Sequence, residues 1–231
     1  MIARSVTDLI PSHQIKNWSK FLESLPGHIF NFIRKATQSQ LPTLSNLHRW
    51  GRSPSALCPM CGKLQTNKHV LSNCSSNGAL CRYTSRHNKI LYLLTNWLSS
   101  KLTCTELYCD LPNSSHRQVS DLFVNSRPDI ALKKNSNISI LELTVCHETN
   151  FLSSRKYKLD KYKNIASDRS QFSLNCSVAV YTCEVSTLGF VTIDPKLLSD
   201  LNLPPIDYKL MYDLSSTAIK SSFEIYIARN T

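Results

Sequence analysis

Glycine is scarce. The chain holds only five, and no Gly/Ser tract or internal repeat suggests a flexible tether between folded parts. Long apolar runs are also missing. No stretch approaches the ~18 apolar residues of a membrane span, so no membrane partner is expected. The opening residues, MIARSVTDLIPSHQIKNW, have no continuous apolar centre, which implies no secretory signal. Acids are outnumbered, with 16 Asp plus Glu against 27 Lys plus Arg, for a formal net charge of +11. That excess favours a polyanionic partner, most often nucleic acid. A basic but otherwise ordinary protein is the alternative on charge alone.

Hydrophobic residues make up 42% of the 231 positions, enough for a core in one large domain or two small ones. Nine cysteines are an odd number, and three stand with a histidine at metal-ligand spacing. That pattern fits a reducing compartment better than a disulfide framework. The segment CPMCGKLQTNKHVLSNC reads Cys58-x2-Cys61-x7-His69-x4-Cys74. Four ligands of the types zinc prefers fill a tetrahedron and leave no place for a catalytic water, so one structural Zn²⁺ is expected. Gly62 suits a tight turn after the Cys58–Cys61 pair, and KHVLSNC can supply about a turn and a half of helix between His69 and Cys74. Arg49, Arg52, Lys63 and Lys68 surround the cluster as candidate phosphate contacts, with a solvated face as the equal alternative for each. Cys81, Cys104, Cys109, Cys146, Cys176 and Cys183 are scattered and read as small buried hydrophobes.

The first fifty residues read as helical. Ile15, Trp18, Leu22 and Leu25 recur at helical spacing, Pro26-Gly27 breaks the pattern, and Ile29, Phe30, Ile33 and Ala36 resume it until Pro42. LPTLSNLHRWG follows, with Thr43 or Ser45 as a cap and Gly51 at the end. One amphipathic helix spans about 76–101, with Ile90, Leu94, Trp97 and Leu98 on one face and Arg82, Arg86, His87 and Lys89 near its start. Residues 111–115 read as a loop and the best domain boundary. From Asp121 onward the period becomes strand-like at DIAL, ISILELTV, CSVAVYTCEVST and LGFVTI. Helices are expected at SSRKYKLDKYKNIAS, PKLLSDL and YKLMYDLSSTAIKSSFEIYIARN. The fold class is α+β: N-terminal helices with a zinc knuckle, then a mixed α/β core whose central sheet is flanked by helices.

Asp129 and Glu142 stand on either side of a polar turn. If Lys134 faces Asn137 across Asn135-Ser136, Asp129 faces Glu142 directly, with Cβ atoms about 5 Å apart. A one-residue slip would put the two carboxylates on opposite faces. Along the second strand Glu142, Thr144 and Cys146 point one way, and Leu141, Leu143 and Val145 point into a core. Facing carboxylates repel unless a cation lies between them. A hard ion such as Mg²⁺ uses one or two carboxylates together with substrate phosphate. Lys158 and Lys161 share a helix face downstream, beside Tyr162, and a lysine from there could reach a scissile phosphate as a point charge. On spacing alone the alternatives are an edge hairpin with two solvated acids and a solvated lysine-rich face.

In order, Cys58-x2-Cys61-x7-His69-x4-Cys74, Arg86-His87-Asn88-Lys89-Ile90, Arg127-Pro128-Asp129, Glu142-Leu143-Thr144-Val145 and Lys158-x2-Lys161-Tyr162 form a series. That series resembles the C-terminal region of the polymerase protein of site-targeting non-LTR retrotransposons, in the branch that carries a restriction-like endonuclease. LPTLSNLHRWG and CEVSTLGFV resemble further segments of it, so the likeness spans roughly residues 28–228. The resemblance implies a PD-(D/E)xK-type nuclease. Asp129 and Glu142 would bind a catalytic Mg²⁺ or Mn²⁺, with the backbone carbonyl of Leu143 as third ligand. Thr144 stands where that nuclease class has its lysine, so Lys158, or else Lys161, takes the catalytic place. Glu148 and Asn150 match family positions as well. The implied organisation is 1–51, a helical linker following a reverse transcriptase absent from this chain; 52–75, the zinc knuckle; 76–112, the amphipathic helix and linker; and 113–231, the endonuclease domain.

The expected function is a DNA endonuclease that nicks target duplex so that its 3′ end primes reverse transcription, acting in the nucleus. Element RNA is a second candidate partner. The expected nucleic-acid contacts are Arg49, Arg52, Lys63, Lys68, Arg82, Arg86, His87, Lys89, Arg127 and Tyr162. The runner-up is a catalytically inactive nucleic-acid-binding remnant or domesticated fragment, and a zinc-stabilised interaction protein is third. Oligomeric state is left open.

Overall fold

Period-2 hydrophobic segments in the second half of the chain build one mixed sheet. A computed structural model describes residues 12–103, 105–163, 165 and 177–230. Its six strands are β1 (Glu106–Cys109), β2 (Arg117–Gln118), β3 (Ile130–Lys134), β4 (Asn137–Cys146), β5 (Ser177–Ser186) and β6 (Val191–Ile193). They lie in the order β2-β1-β3-β4-β5-β6. The β3–β4 hairpin takes the even-loop register, with Lys134 opposite Asn137 and Ile130 opposite Leu141. Asn135 adopts a left-handed φ of 55° in its turn, a conformation asparagine tolerates better than most residues. β4 then runs parallel to β5 along its whole length, and a parallel neighbour requires a crossover. β4 therefore lies inside the sheet, which excludes an edge hairpin. β5 turns back through Gly189 (φ 94°) into antiparallel β6.

Helices cover both faces: α1 (Ser12–Glu23), α2 (Gly27–Thr37), α3 (Leu44–Arg49), α4 (Asn77–Lys101), α5 (Phe151–Tyr162), α6 (Pro195–Asp200) and α7 (Tyr208–Ile227). Alternation along β4 sends successive residues to opposite faces. Leu141 and Leu143 join Ile130, Leu132 and Val185 against Ile90, Leu94 and Leu98 of α4 and Leu214 of α7. Ile138 and Ile140 join Ala131 against Tyr162 and Ile165 on the other side. α4 begins where Ser76 Oγ accepts the Ala79 N–H at 3.4 Å, an N-cap of the common serine type.

Phe21 of α1, Leu25 between the helices, and Ile29, Phe32 and Ile33 of α2 form a second cluster with Val70 and Leu71 and with Ile219 and Tyr226 of α7. Because α4 and β1 share the sheet's core yet precede residues 111–115, that loop does not separate two cores. Cys109, Cys146 and Cys183 are buried, but Cys81 is exposed, because its place on α4 turns away from the sheet. Cys104, Cys176 and the side chain of Ile15 lie outside the described residues. Among the described residues no helix is long and apolar enough to cross a membrane.

Candidate active site and metal cluster

Asp129 immediately precedes β3, and continuing the hairpin register sets it opposite Glu142 of β4. The two acids bond across the gap. The Asp129 N–H donates to Glu142 Oε1 (3.0 Å), and the Leu143 N–H donates to Asp129 Oδ2 (2.8 Å). Each carboxylate thus satisfies a backbone donor on the opposing strand, and both carboxylates are fixed at the open end of β3. From α5, Lys158 Nζ reaches Glu142 Oε2 (2.5 Å) and Asp129 Oδ2 (3.3 Å). From α4, His87 Nε2 lies 3.4 Å from Asp129 Oδ1, while its Nδ1 lies 3.2 Å from Asn88 Oδ1.

Burial and charge separate the two acids. Glu142 is 1% exposed. Desolvation, reinforced by the Asp129 charge, raises its carboxyl above the ordinary carboxylate range, against the pull of Lys158. Desolvation opposes ionisation of Asp129 too, but the hydrogen bond and charge of His87, with Lys158, outweigh it and hold Asp129 low. Burial works against the charged form of His87, yet the bond to Asp129 leaves its pKa raised. Lys158 is raised in the same way by the two carboxylates. Two facing acids with unlike proton affinities are a common arrangement where a site handles protons or a cation.

The two converging carboxylates are all-oxygen donors of the kind a hard divalent ion takes. In a strand the N–H and C=O of one residue point to the same edge, so the Leu143 carbonyl faces the side on which Asp129 accepts its N–H. Lys161 does not join the carboxylates. Its ammonium donates to Tyr162 Oη (2.9 Å) and lies over that ring. Tyr162 is fully buried, its hydroxyl donating to the Arg127 carbonyl (3.0 Å). Its apolar ring is drawn into the core beneath β3, so the nucleic-acid contact expected of it is not available.

A residue that sequence reasoning missed orients Lys158. Arg155, one turn earlier on α5, makes a two-pronged contact with the buried Glu184 of β5 (3.1 and 2.6 Å), which sets the helix's rotation. Glu184 lies opposite Thr144. A lysine at 144 would place a second cation beside that pair.

The four ligand atoms of Cys58, Cys61, His69 and Cys74 all lie within 4.8 Å of one another. Cys74 Sγ is 3.7 Å from Cys61 Sγ and 4.0 Å from Cys58 Sγ, and His69 Nε2 is 3.4 Å from Cys61 Sγ. Tetrahedral thiolate coordination at about 2.3 Å requires sulfur edges near 3.8 Å, so the cluster fits a tetrahedral metal ion. Gly62 adopts φ 73° in the knuckle turn, and His69–Asn73 form a single π-helical turn. The Tyr83 hydroxyl donates to the Val70 carbonyl (2.8 Å) and accepts the Cys74 N–H (3.1 Å), tying the loop to α4.

The remaining cations divide by exposure. Arg49, Arg52 and Lys63 are exposed around the knuckle. Lys68 donates to Asn150 Oδ1 (2.9 Å) and so bridges the knuckle to the turn that precedes α5. Arg127 is exposed and pairs with Asp110 (2.6 Å). Lys89 pairs with Glu224 (3.2 Å), and Arg82 is partly exposed. Arg86, expected at a surface phosphate, is instead 1% exposed beneath α7. His87 turns toward Asp129 rather than outward. No linear signal separates these two from their neighbours, since their orientation follows from which face of α4 meets the sheet.

No protein-family model matches the chain. No curated protein matches it. Among solved structures, one described as a phenuiviridae cap-snatching endonuclease aligns at 14% identity and a TM-score of 0.39. The alignment covers 68% of this chain and 67% of that one.

Proposed function

We propose that this chain is a metal-dependent nuclease that nicks DNA, with a zinc-bound knuckle that helps hold the nucleic acid. One observation carries the reading: Asp129 and Glu142 oppose each other across neighbouring strands, and the Lys158 ammonium meets both. Asp129, Glu142 and the Leu143 carbonyl would hold a Mg²⁺ or Mn²⁺ ion, which supplies positive charge at the phosphate and makes a water more acidic. Lys158 contributes a fixed point charge against the negative charge that builds on the phosphate oxygens. His87 is a positioning residue that keeps Asp129 ionised and pointed into the site. Cys58, Cys61, His69 and Cys74 hold one structural zinc in this reading. The partner is duplex DNA, with element RNA second; the location is the nucleus; and a reverse transcriptase normally joined to this region uses the nicked 3′ end.

The site also favours a second reading. Lys158 already bridges both acids, so the triad could serve only to fasten α5 to the hairpin of a non-catalytic nucleic-acid-binding module. Incubating supercoiled plasmid with the protein and Mg²⁺ or Mn²⁺ separates the two. Nicking that is lost in Glu142→Gln and Asp129→Asn supports the nuclease. Wild type that shifts plasmid mobility but cuts no faster than either variant supports the binding module and overturns the nuclease.

A further inference from the structure

Among the described residues, Arg86 is a buried cation without an acid. Its side chain is 1% exposed, and its Nη1 donates to the Ser222 hydroxyl (2.9 Å). The guanidinium also lies 5.4 Å from the centre of the Tyr83 ring. Its Nε is buried with no partner, and no carboxylate pairs with it among the described residues. Arg155 in the same fold shows the ordinary solution, a two-pronged bond to a buried glutamate. A buried guanidinium lacking that partner is costly, and burial pushes the Arg86 pKa down to about 10. A side chain held at that cost suggests an anionic partner from outside the chain.

The surroundings supply the rest of a receptor. Arg86 lines a cavity of ≈ 220 Å³ between α4 and α7, together with Arg82, Ser85, Lys89, Ser221 and Glu224. Residues 82, 86 and 89 recur at four- and three-residue intervals, so α4 carries all three cations along one side. The only acid in the lining is Glu224, which spends its charge on the exposed Lys89, and exposed pairs of this kind are weak and displaceable. A water occupies about 30 Å³ of liquid, so the cavity has room for a tetrahedral oxyanion and part of its hydration.

We propose that the cleft between α4 and α7 is a phosphate-binding site, with Arg86 as its buried anchor and Arg82 and Lys89 as its outer cations. The three arginine and lysine side chains, read singly as backbone contacts, form one discrete receptor. The site uses neither Asp129 nor Glu142 and stands or falls apart from the cleavage reading.

The test uses the full chain with inorganic phosphate and with a duplex oligonucleotide. Phosphate should raise the melting temperature by about 2–4 °C over chloride at matched ionic strength. Arg82→Ala/Lys89→Ala should remove most of that rise, and Glu142→Gln should keep it. Arg86→Met should abolish it where that variant folds, and the outer double variant decides the matter where it does not. If the site takes a phosphate of the nucleic-acid backbone, the double variant should also flatten the slope of log affinity for the duplex against log salt by about 1 to 2. An unchanged slope with a lost phosphate response assigns the site to a free phosphate. A phosphate response equal in wild type and double variant, or absent from wild type, overturns the proposal.

Discussion

Asp129 and Glu142 carry the same functional group, yet their pKa values shift in opposite directions, and a histidine on α4 contributes to the difference. His87 bonds to Asp129 and not to Glu142, so Asp129 keeps its charge while Glu142 bears the desolvation and its partner's repulsion. Lys158→Met should therefore act twice. Loss of a charge beside the phosphate should slow nicking by about 10²–10³-fold. Two buried acids left facing each other should cost roughly 3–5 kcal/mol in urea unfolding, an amount that Glu142→Gln in the same chain should partly restore. His87 gives a signature in pH. Its folded pKa stands above the ordinary 6.5, so the stability it adds is complete below 6.5 and is lost as pH rises through the folded value. In buffer free of Mg²⁺ and Mn²⁺, with no chelator that would strip the Cys/His cluster, the urea midpoint should fall over that range, and His87→Gln should remove this slope; an identical profile in the variant would count against the bond. The opposition of Asp129 and Glu142 was legible because a strand's period of two and the parity of a short loop decide it without tertiary information. The contacts of His87, Arg86 and Arg155 were not, because each partner comes from an element remote in sequence.

Elements announced themselves in proportion to their length and periodicity. α4, with its serine cap and the apolar face of Ile90, Leu94 and Leu98, is plain in the sequence, as are β4 and β5. β1 and β2 are not, since four and two residues are too short to show alternation, and only hydrogen bonding to β3 and to each other makes them strands. The knuckle is the clearest element of all, because ligand chemistry restricts its spacing more tightly than hydrophobicity restricts a helix. Cys74 Sγ lies 3.2 Å from Ser76 Oγ, and Ser76 also caps α4, so cluster and helix meet within two residues. Metal analysis should find about one zinc per chain, lost in Cys74→Ser. Ser76→Ala should keep the zinc and cost about 1 kcal/mol of stability, the usual value of a serine cap. A fully folded, metal-free wild type would count against the zinc assignment.

At the scale of the molecule, the polar residues at 111–115 mark a loop but not a boundary, because hydropathy cannot show that α4 buries its apolar face in the sheet that follows. The net charge of +11 makes a prediction here. If six or more phosphates are contacted, duplex affinity should fall by about 10³-fold or more between roughly 50 and 200 mM salt. A flat response would remove nucleic acid as the partner. α4 also has a mechanical consequence. It is supported at both ends, at Ser76 by the Cys/His loop and over Ile90–Leu98 by the core, with His87 between the two supports. Ser76 and His87 are about 16 Å apart along the axis, so a free helix tilting by about 5° would carry the imidazole some 1.4 Å, enough to part it from Asp129. A beam clamped at two points does not tilt, and the angular precision of the carboxylate site is therefore set in part by a cluster of three cysteines and a histidine that never touches it.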